Sequence, residues 1–487
     1  MSRETEVVQA CPADLFIGGE WVKAEAGRTF AVEDPSTGES LCDVADASPA
    51  DGIRALDAAV AAQADWAKHP PRERGEILRR TYELMTEQAG DLALLMTLEM
   101  GKPLAESKAE IAYAAEFFRW FAEEAVRIQG DYTTAPNGKG RLMLMRQPVG
   151  PCLLITPWNF PAAMGARKIG PAVAAGCTMV IKPAHQTPLS MLKLADLLTE
   201  AGMPPGVLNI VTTEHAGQVM EPLIKDSRVR KLSFTGSTEV GRRLIAQASE
   251  QVLRTSMELG GNAPLIVFGD ADLDAAVEGA MIAKMRNIGE ACTAANRLYV
   301  HRSVMDEFAN RLTERMAKLQ MGRGSEDGTD VGPLIDATQR DKVAGLVDDA
   351  VAKGAKLLAG GKVAEGNGYF YPPTVLADVP HDARVQKEEI FGPVAPLTPF
   401  DTDDEAIAMA NDTEFGLVSY LFTADLNRAL KVCERLETGM IGLNQGMVSN
   451  PAAPFGGVKQ SGLGREGGRA GIEEYLETKY VAIALPD

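Results

Sequence analysis

Two segments carry side chains that could do covalent chemistry. In Asn287-Ile-Gly-Glu-Ala-Cys-Thr-Ala-Ala-Asn-Arg297 a cysteine follows a glycine-containing turn instead of lying inside an apolar run, so Cys292 is a candidate nucleophile, reactive as its thiolate. In Met257-Glu-Leu-Gly-Gly-Asn-Ala-Pro264 paired glycines after a predicted strand allow a sharp turn with an acidic side chain at its mouth, which makes Glu258 a candidate general base. Taken alone, neither segment decides. A free cysteine is most often a small buried hydrophobe, the reading we give Cys152 and Cys177, and a glutamate before a turn is most often solvated surface. A third segment, Gly236-Ser-Thr-Glu-Val-Gly241, departs from the G-x-G-x-x-G pattern, yet a strand before it and a helix after it would present backbone N–H groups to an anion.

These groups need elements to position them. Between Pro151 and Met257 short apolar runs (Cys152 to Thr156, Thr178 to Lys182, Val207 to Val211, Lys231 to Phe234) alternate with helical stretches, the rhythm of βαβ units and a parallel sheet. A second alternating region begins at Pro264-Leu-Ile-Val-Phe268, passes through a helix from about Asp272 and reaches Leu298-Tyr-Val300, which predicts a second α/β domain. Ser48-Pro-Ala-Asp51 reads as a capping-box start with proline at the first helical position, followed by Ile53, Leu56 and Val60 at helical spacing. Two apolar segments, Arg141 to Arg146 and Lys479 to Leu485, fit neither core, and exposed strands of this kind require a partner chain. Gly360 to Gly368 is expected to be a flexible loop.

The bulk numbers exclude several function classes. A chain of 487 residues, 45% hydrophobic and 24% charged, is globular and too long for one core, so two or three domains are expected. A net charge of −18 disfavours nucleic acid and anionic membranes as partners. The six cysteines are dispersed without a C-x-x-C pair, which fits a reducing compartment and predicts no metal site. The polar, acidic N-terminal segment has no apolar signal core, and no apolar stretch approaches about 18 residues, so a cytoplasmic protein is expected.

Seven segments occur here in the order in which aldehyde dehydrogenases carry them. They are Pro157-Trp-Asn-Phe-Pro161, Lys182-Pro, Phe234-Thr-Gly-Ser237, Glu258-Leu-Gly-Gly-Asn262, the Cys292 segment, Glu389-Ile-Phe-Gly-Pro393 and Pro454-Phe-Gly-Gly457. The chain resembles that family from about Phe16 to its C-terminus. The resemblance implies that the Cys292 thiolate attacks an aldehyde, that the Asn159 amide and the Cys292 N–H hold the oxyanion, and that hydride leaves to a nicotinamide. Glu258 then activates the water that releases the acid, with Lys168 as an auxiliary active-site lysine. It places the cofactor against Trp158, Lys182, Gly236, Ser237, Leu259, Glu389 and Phe391. His185 stands where NAD-preferring relatives often carry glutamate, so NADP is favoured over NAD, although Glu214 comes near the same region by analogy.

Within the family the chain most resembles succinate-semialdehyde dehydrogenases, through Arg167-Lys168, Met285-Arg286-Asn287, Asn411-Asp-Thr-Glu-Phe-Gly416 and Gly446-Met-Val-Ser-Asn450, segments that line the substrate entrance in that group. This implies a distal carboxylate bound by Arg167, Arg286 and Ser449. Structural ion pairing is the alternative use of both arginines. Two departures stand out: Glu290 replaces the usual glutamine and is expected to point away from the thiol, and Ala294 replaces a second cysteine found in some of the group, which excludes a disulfide there.

The implied architecture is α/β: a Rossmann-like cofactor domain of residues 1–129 and 146–258, a catalytic domain of 259–458, and a small β bridging element of 130–145 and 459–487 that joins copies into a homodimer or homotetramer. The alternatives are an enzyme for other aldehydes such as glutarate semialdehyde, a non-catalytic binding scaffold, and acyl transfer to coenzyme A. The retained Glu258 argues for hydrolysis over the last.

Overall fold

The computed structural model describes residues 2–485. Five parallel strands, Leu208–Ile210, Met179–Lys182, Cys152–Ile155, Lys231–Thr235 and Arg254–Glu258, form the centre of an eight-stranded sheet, an order of 3-2-1-4-5 when the five are numbered along the chain. The order reverses beside Cys152–Ile155, and in such sheets ligands bind at the carboxyl ends of the strands that flank the reversal. Cys152–Ile155, Met179–Lys182 and Lys231–Thr235 are buried at every position, as a parallel sheet covered by helices on both faces requires. The predicted strands match these to within a residue or so at each end.

The second unit is a seven-stranded sheet whose middle strands are Val394–Phe400, Ala295–His301, Ala263–Val267 and Val418–Phe422, all parallel. Its first helix, Leu273–Met285, starts from Asp272, whose carboxylate caps Asp274 and Ala275 N–H groups. The two orphan apolar segments find each other within the chain. Arg141–Pro148 pairs antiparallel with Leu476–Ile483 along its whole length, and Asp131–Thr134 flanks it to give a three-stranded sheet. Of the C-terminal segment from residue 459, Gly462–Leu463 instead extends the eight-stranded sheet beside Glu258, and only Leu476–Ile483 joins the small one. Tyr132, Leu144, Met145 and Tyr480 remain exposed on that small sheet. Among the described residues no helix is long and apolar enough to cross a membrane.

The helix Pro49–Trp66 opens with the expected reciprocal cap: Ser48 Oγ accepts from Asp51 N at 3.1 Å and Asp51 Oδ2 accepts from Ser48 N at 2.8 Å. Ser48→Ala is expected to cost about 1 kcal/mol, seen as an earlier unfolding transition in urea with specific activity unchanged.

Candidate active site

The sheet ends determine which side chains can meet. Asn159 follows strand Cys152–Ile155, Gly236 and Ser237 follow Lys231–Thr235, and Glu258 ends Arg254–Glu258, so all come from carboxyl ends of the first sheet. Cys292 precedes Ala295–His301, and Glu389 and Phe391 precede Val394–Phe400, so these come from the opposite ends of the second sheet. Between them lies a cleft of about 200 Å3 lined by Trp158, Asn159, Gly236, Ser237, Glu258, Leu259, Cys292, Glu389 and Phe391 together with Gln339 and Lys342.

The turn after Glu258 is tight for a reason other than backbone handedness. Neither Gly260 nor Gly261 has a positive φ; a Cβ at Gly260 would lie 3.0 Å from Glu389 Oε2 and one at Gly261 would lie 2.5 Å from the Cys292 carbonyl oxygen. The glycines therefore let the base-bearing turn approach the thiol loop. Gly261 N–H donates to Glu389 Oε1 at 3.1 Å, and Leu259 N–H donates to the Ser461 carbonyl at 2.9 Å, which fixes both sides of the turn.

Burial dominates the ionisation of the site. It pushes the Cys292 thiol up to about 12, against the opposing pull of the Arg167 cation. It also pushes the Glu258 carboxyl well above its usual range, a shift that the charge of Glu466 reinforces and Arg167 and Lys168 oppose. Neither Glu258 oxygen has a hydrogen-bond partner among the described residues. Glu389 is raised to about 7 by burial.

Asn159 Nδ2 donates to the Glu290 carbonyl oxygen at 2.9 Å, leaving its second amide hydrogen for another acceptor. Asn287 Nδ2 donates to the same carbonyl at 2.9 Å and to the Asn159 carbonyl at 3.0 Å. The Glu290 side chain is turned to Ile335, whose N–H it accepts at 3.1 Å. Burial pushes its carboxyl well above the usual range, which favours the neutral form and lessens any repulsion of the thiolate.

The two expected carboxylate-binding arginines differ. Arg167 Nη2 lies 2.7 Å from Glu466 Oε2, and Lys168 Nζ lies 2.5 Å from Glu466 Oε1 and 3.0 Å from Ser233 Oγ, all within the interior. Although burial alone would raise the Glu466 carboxyl, Lys168 and Arg167 hold it below the usual range. Arg286 has no carboxylate within 4 Å among the described residues; its Nη1 reaches Ser449 Oγ at 3.4 Å, and its guanidinium lies 4.9 Å from the Phe160 ring centre. Asn411–Gly416 is held by Asn411, which bonds the Arg435 carbonyl and Glu437 N–H, and by the pairing of Phe415–Gly416 with Val458–Lys459; a Cβ at Gly260 would lie 3.5 Å from the Phe415 ring. Glu466 and the part-buried Tyr113, whose ring lies 5.8 Å from the Arg286 guanidinium, are site residues that motif reading missed.

The groups on the first sheet suit a phosphorylated dinucleotide. Lys182 is a buried cation without a carboxylate partner among the described residues, and burial lowers it to about 8, so an anion beside it would raise it back toward its usual range. Ser237 caps the helix Thr238–Ala248, whose N-terminus favours an anion. His185 is pushed below its usual range by burial and by Lys182, and so is neutral near pH 7. Trp158 and Phe391 meet edge to face with centroids 5.3 Å apart.

In the protein without cofactor, alkylation of Cys292 by iodoacetamide is expected to rise about tenfold per pH unit from about pH 7 to about pH 9, as the thiolate fraction does below a raised pKa. A plateau below about pH 8, followed by peptide mass spectrometry, would contradict the raised thiol.

The comparisons agree with this geometry. The model of the aldehyde dehydrogenase family matches residues 21–481. A succinate-semialdehyde dehydrogenase of Paenarthrobacter nicotinovorans is 58% identical over 446 residues, covering 92% of this chain and 99% of the relative. A glutarate-semialdehyde dehydrogenase of Pseudomonas putida is 55% identical over 470 residues, covering 96% of this chain and 97% of the relative. The crystal structure of an NADP-dependent enzyme of Escherichia coli superposes with a TM-score of 0.97 at 52% identity, covering 98% of this chain and 99% of that one. With a cysteine and a glutamate meeting in a cleft between two sheets, and the family match running through both, this chain belongs to the aldehyde dehydrogenase family.

Proposed function

We propose that this chain oxidises succinate semialdehyde to succinate with reduction of NADP, NAD being the weaker alternative. The observation that carries the substrate is Arg286, a part-buried guanidinium with a hydroxyl neighbour, Ser449, and no carboxylate of its own among the described residues. A carboxylate at the far end of the substrate supplies that missing partner through charge-assisted hydrogen bonds. Arg167 shares its charge with Glu466 and contributes at longer range. A semialdehyde one methylene longer would use the same groups, and one methylene discriminates by only about 1–3 kcal/mol.

The chain's own groups act in sequence. The Cys292 thiolate attacks the aldehyde carbon, and the C–S bond gives a tetrahedral thiohemiacetal whose oxyanion accepts from the second Asn159 amide hydrogen and the Cys292 N–H. NADP, when bound, supplies the hydride acceptor that turns this adduct into a thioester. Glu258 removes a proton from the water that attacks the thioester carbonyl, and the Cys292 sulfur leaves as thiolate. Lys168 and Arg167 lower the cost of a charged Glu258. Trp158, Lys182 and His185 would hold the ribose and phosphates, Gly236 and Ser237 the pyrophosphate, and the Leu259 backbone with Glu389 and Phe391 the nicotinamide end. The exposed face of the small sheet is covered by a second copy, giving a homodimer or homotetramer, and the enzyme works in the cytoplasm.

Initial rates by nicotinamide absorbance, with succinate semialdehyde and with butanal, test the substrate. Arg286→Ala is expected to lower kcat/KM for the semialdehyde by about 2–3 kcal/mol, or 30- to 150-fold, and to leave the butanal rate within about threefold. Equal losses on both aldehydes would remove Arg286 from substrate recognition.

A further inference from the structure

One buried ion pair beneath the cleft has no part in the steps above. Lys102 Nζ lies 2.5 Å from Glu110 Oε2, and both side chains are 1% exposed. Lys102 Nζ also donates to the Asn159 carbonyl oxygen at 2.7 Å, and Glu110 Oε1 accepts from Ala162 N and Ala163 N at 3.0 and 3.1 Å. The Lys102 ammonium further lies 4.4 Å from the centre of the Phe160 ring. The pair therefore grips the segment Asn159–Ala163 from both ends. Asn287 completes the grip, donating to the Asn159 carbonyl and to the Glu290 carbonyl that also receives the Asn159 amide.

We infer that Lys102 and Glu110 are positioning residues for the oxyanion donor, holding the Asn159 backbone so that its amide is aimed before substrate arrives. The inference rests on Asn159 serving as that donor. Burying two charges is costly, and a neutral pair of similar volume would stabilise the fold at least as well. The pair's return lies in direction. A charged ammonium is held at one carbonyl, and a donor to an oxyanion must be placed within a few tenths of an ångström to be worth its usual factor of about 10²–10³.

The test separates an effect on the oxyanion from an effect on the thiol or the fold. The double variant Lys102→Met with Glu110→Gln removes both charges together, leaves no buried ion unpaired, and keeps an acceptor for Ala162 and Ala163 N–H. Cys292 in the cofactor-free protein is acylated with p-nitrophenyl acetate, which passes through a tetrahedral oxyanion, and alkylated with iodoacetamide, which does not. The expected result is an acylation rate lowered by about 30-fold or more, an alkylation rate within about twofold of the parent, and a smaller loss on adding Asn159→Ala to the double variant than on adding it to the parent. Acylation within about twofold of the parent overturns the inference, as does a parallel fall in both rates, or additive losses with Asn159→Ala. Should Asn159→Ala alone leave acylation unchanged, the oxyanion role of Asn159 fails and the inference falls with it. Glu110→Gln alone, which keeps Lys102 and its bond to Asn159, serves as a second variant and is expected to lose less than the double change.

Discussion

The site depends on one backbone carbonyl. The Glu290 oxygen, two residues before the thiol, accepts from the Asn159 amide and the Asn287 amide. Asn159 belongs to the loop that leaves the first sheet, whereas Glu290 and Asn287 belong to the loop that enters the second, so this small cluster ties two independently built units across the cleft. Asn287 adopts a left-handed φ of 55°, and Ile288 after it one of 61°, conformations that a β-branched residue in particular adopts only under constraint from its surroundings. Catalysis between two sheets requires that the nucleophile and the oxyanion donor keep one relative position, and here their loops are hydrogen-bonded to each other before any ligand is considered.

Desolvation is the second constraint, and it acts on every charge near the thiol. Burial raises the Cys292 thiol and the Glu258 and Glu389 carboxyls above their ordinary ranges and pulls Glu466 the same way. Only Glu466 overcomes it, because two cations flank it. The Arg167–Lys168–Glu466 group thereby leaves a net positive charge inside the protein that works on both the thiol and the base. A whole-chain charge of −18 makes that local excess the more useful, since an anionic substrate must be attracted against the general field.

Much of this was legible in the sequence. Apolar runs located the strands of both sheets, Ser48 and Asp51 announced a helix start, and the motifs around Asn159, Glu258, Cys292 and Glu389 converge on one cleft. What stayed hidden is buried polar pairing over long separations. Periodicity reports which face of an element is covered, but nothing local to Lys168 points to Glu466, 298 residues away. Nothing in the flanking Gly101 and Pro103 marks Lys102 as buried, and its partner Glu110 sits on a helix face whose depth depends on the packing of the whole first unit. The glycines after Glu258 read as a turn signal, whereas the close approach of Glu389 to Gly260 and of the Cys292 carbonyl to Gly261 is what demands them. Arg167 was expected at the substrate; its commitment to Glu466 follows from a residue that no motif included.

The central claim is that the carbon of the substrate is carried on Cys292 until Glu258 activates water. The most direct measurement is peptide mass spectrometry on Glu258→Gln, acid-quenched after mixing with succinate semialdehyde and NADP. The account predicts a succinyl adduct on the peptide containing Cys292, approaching one per chain while free succinate forms slowly. Continued turnover with Cys292 unmodified, or an adduct on another residue, would contradict it.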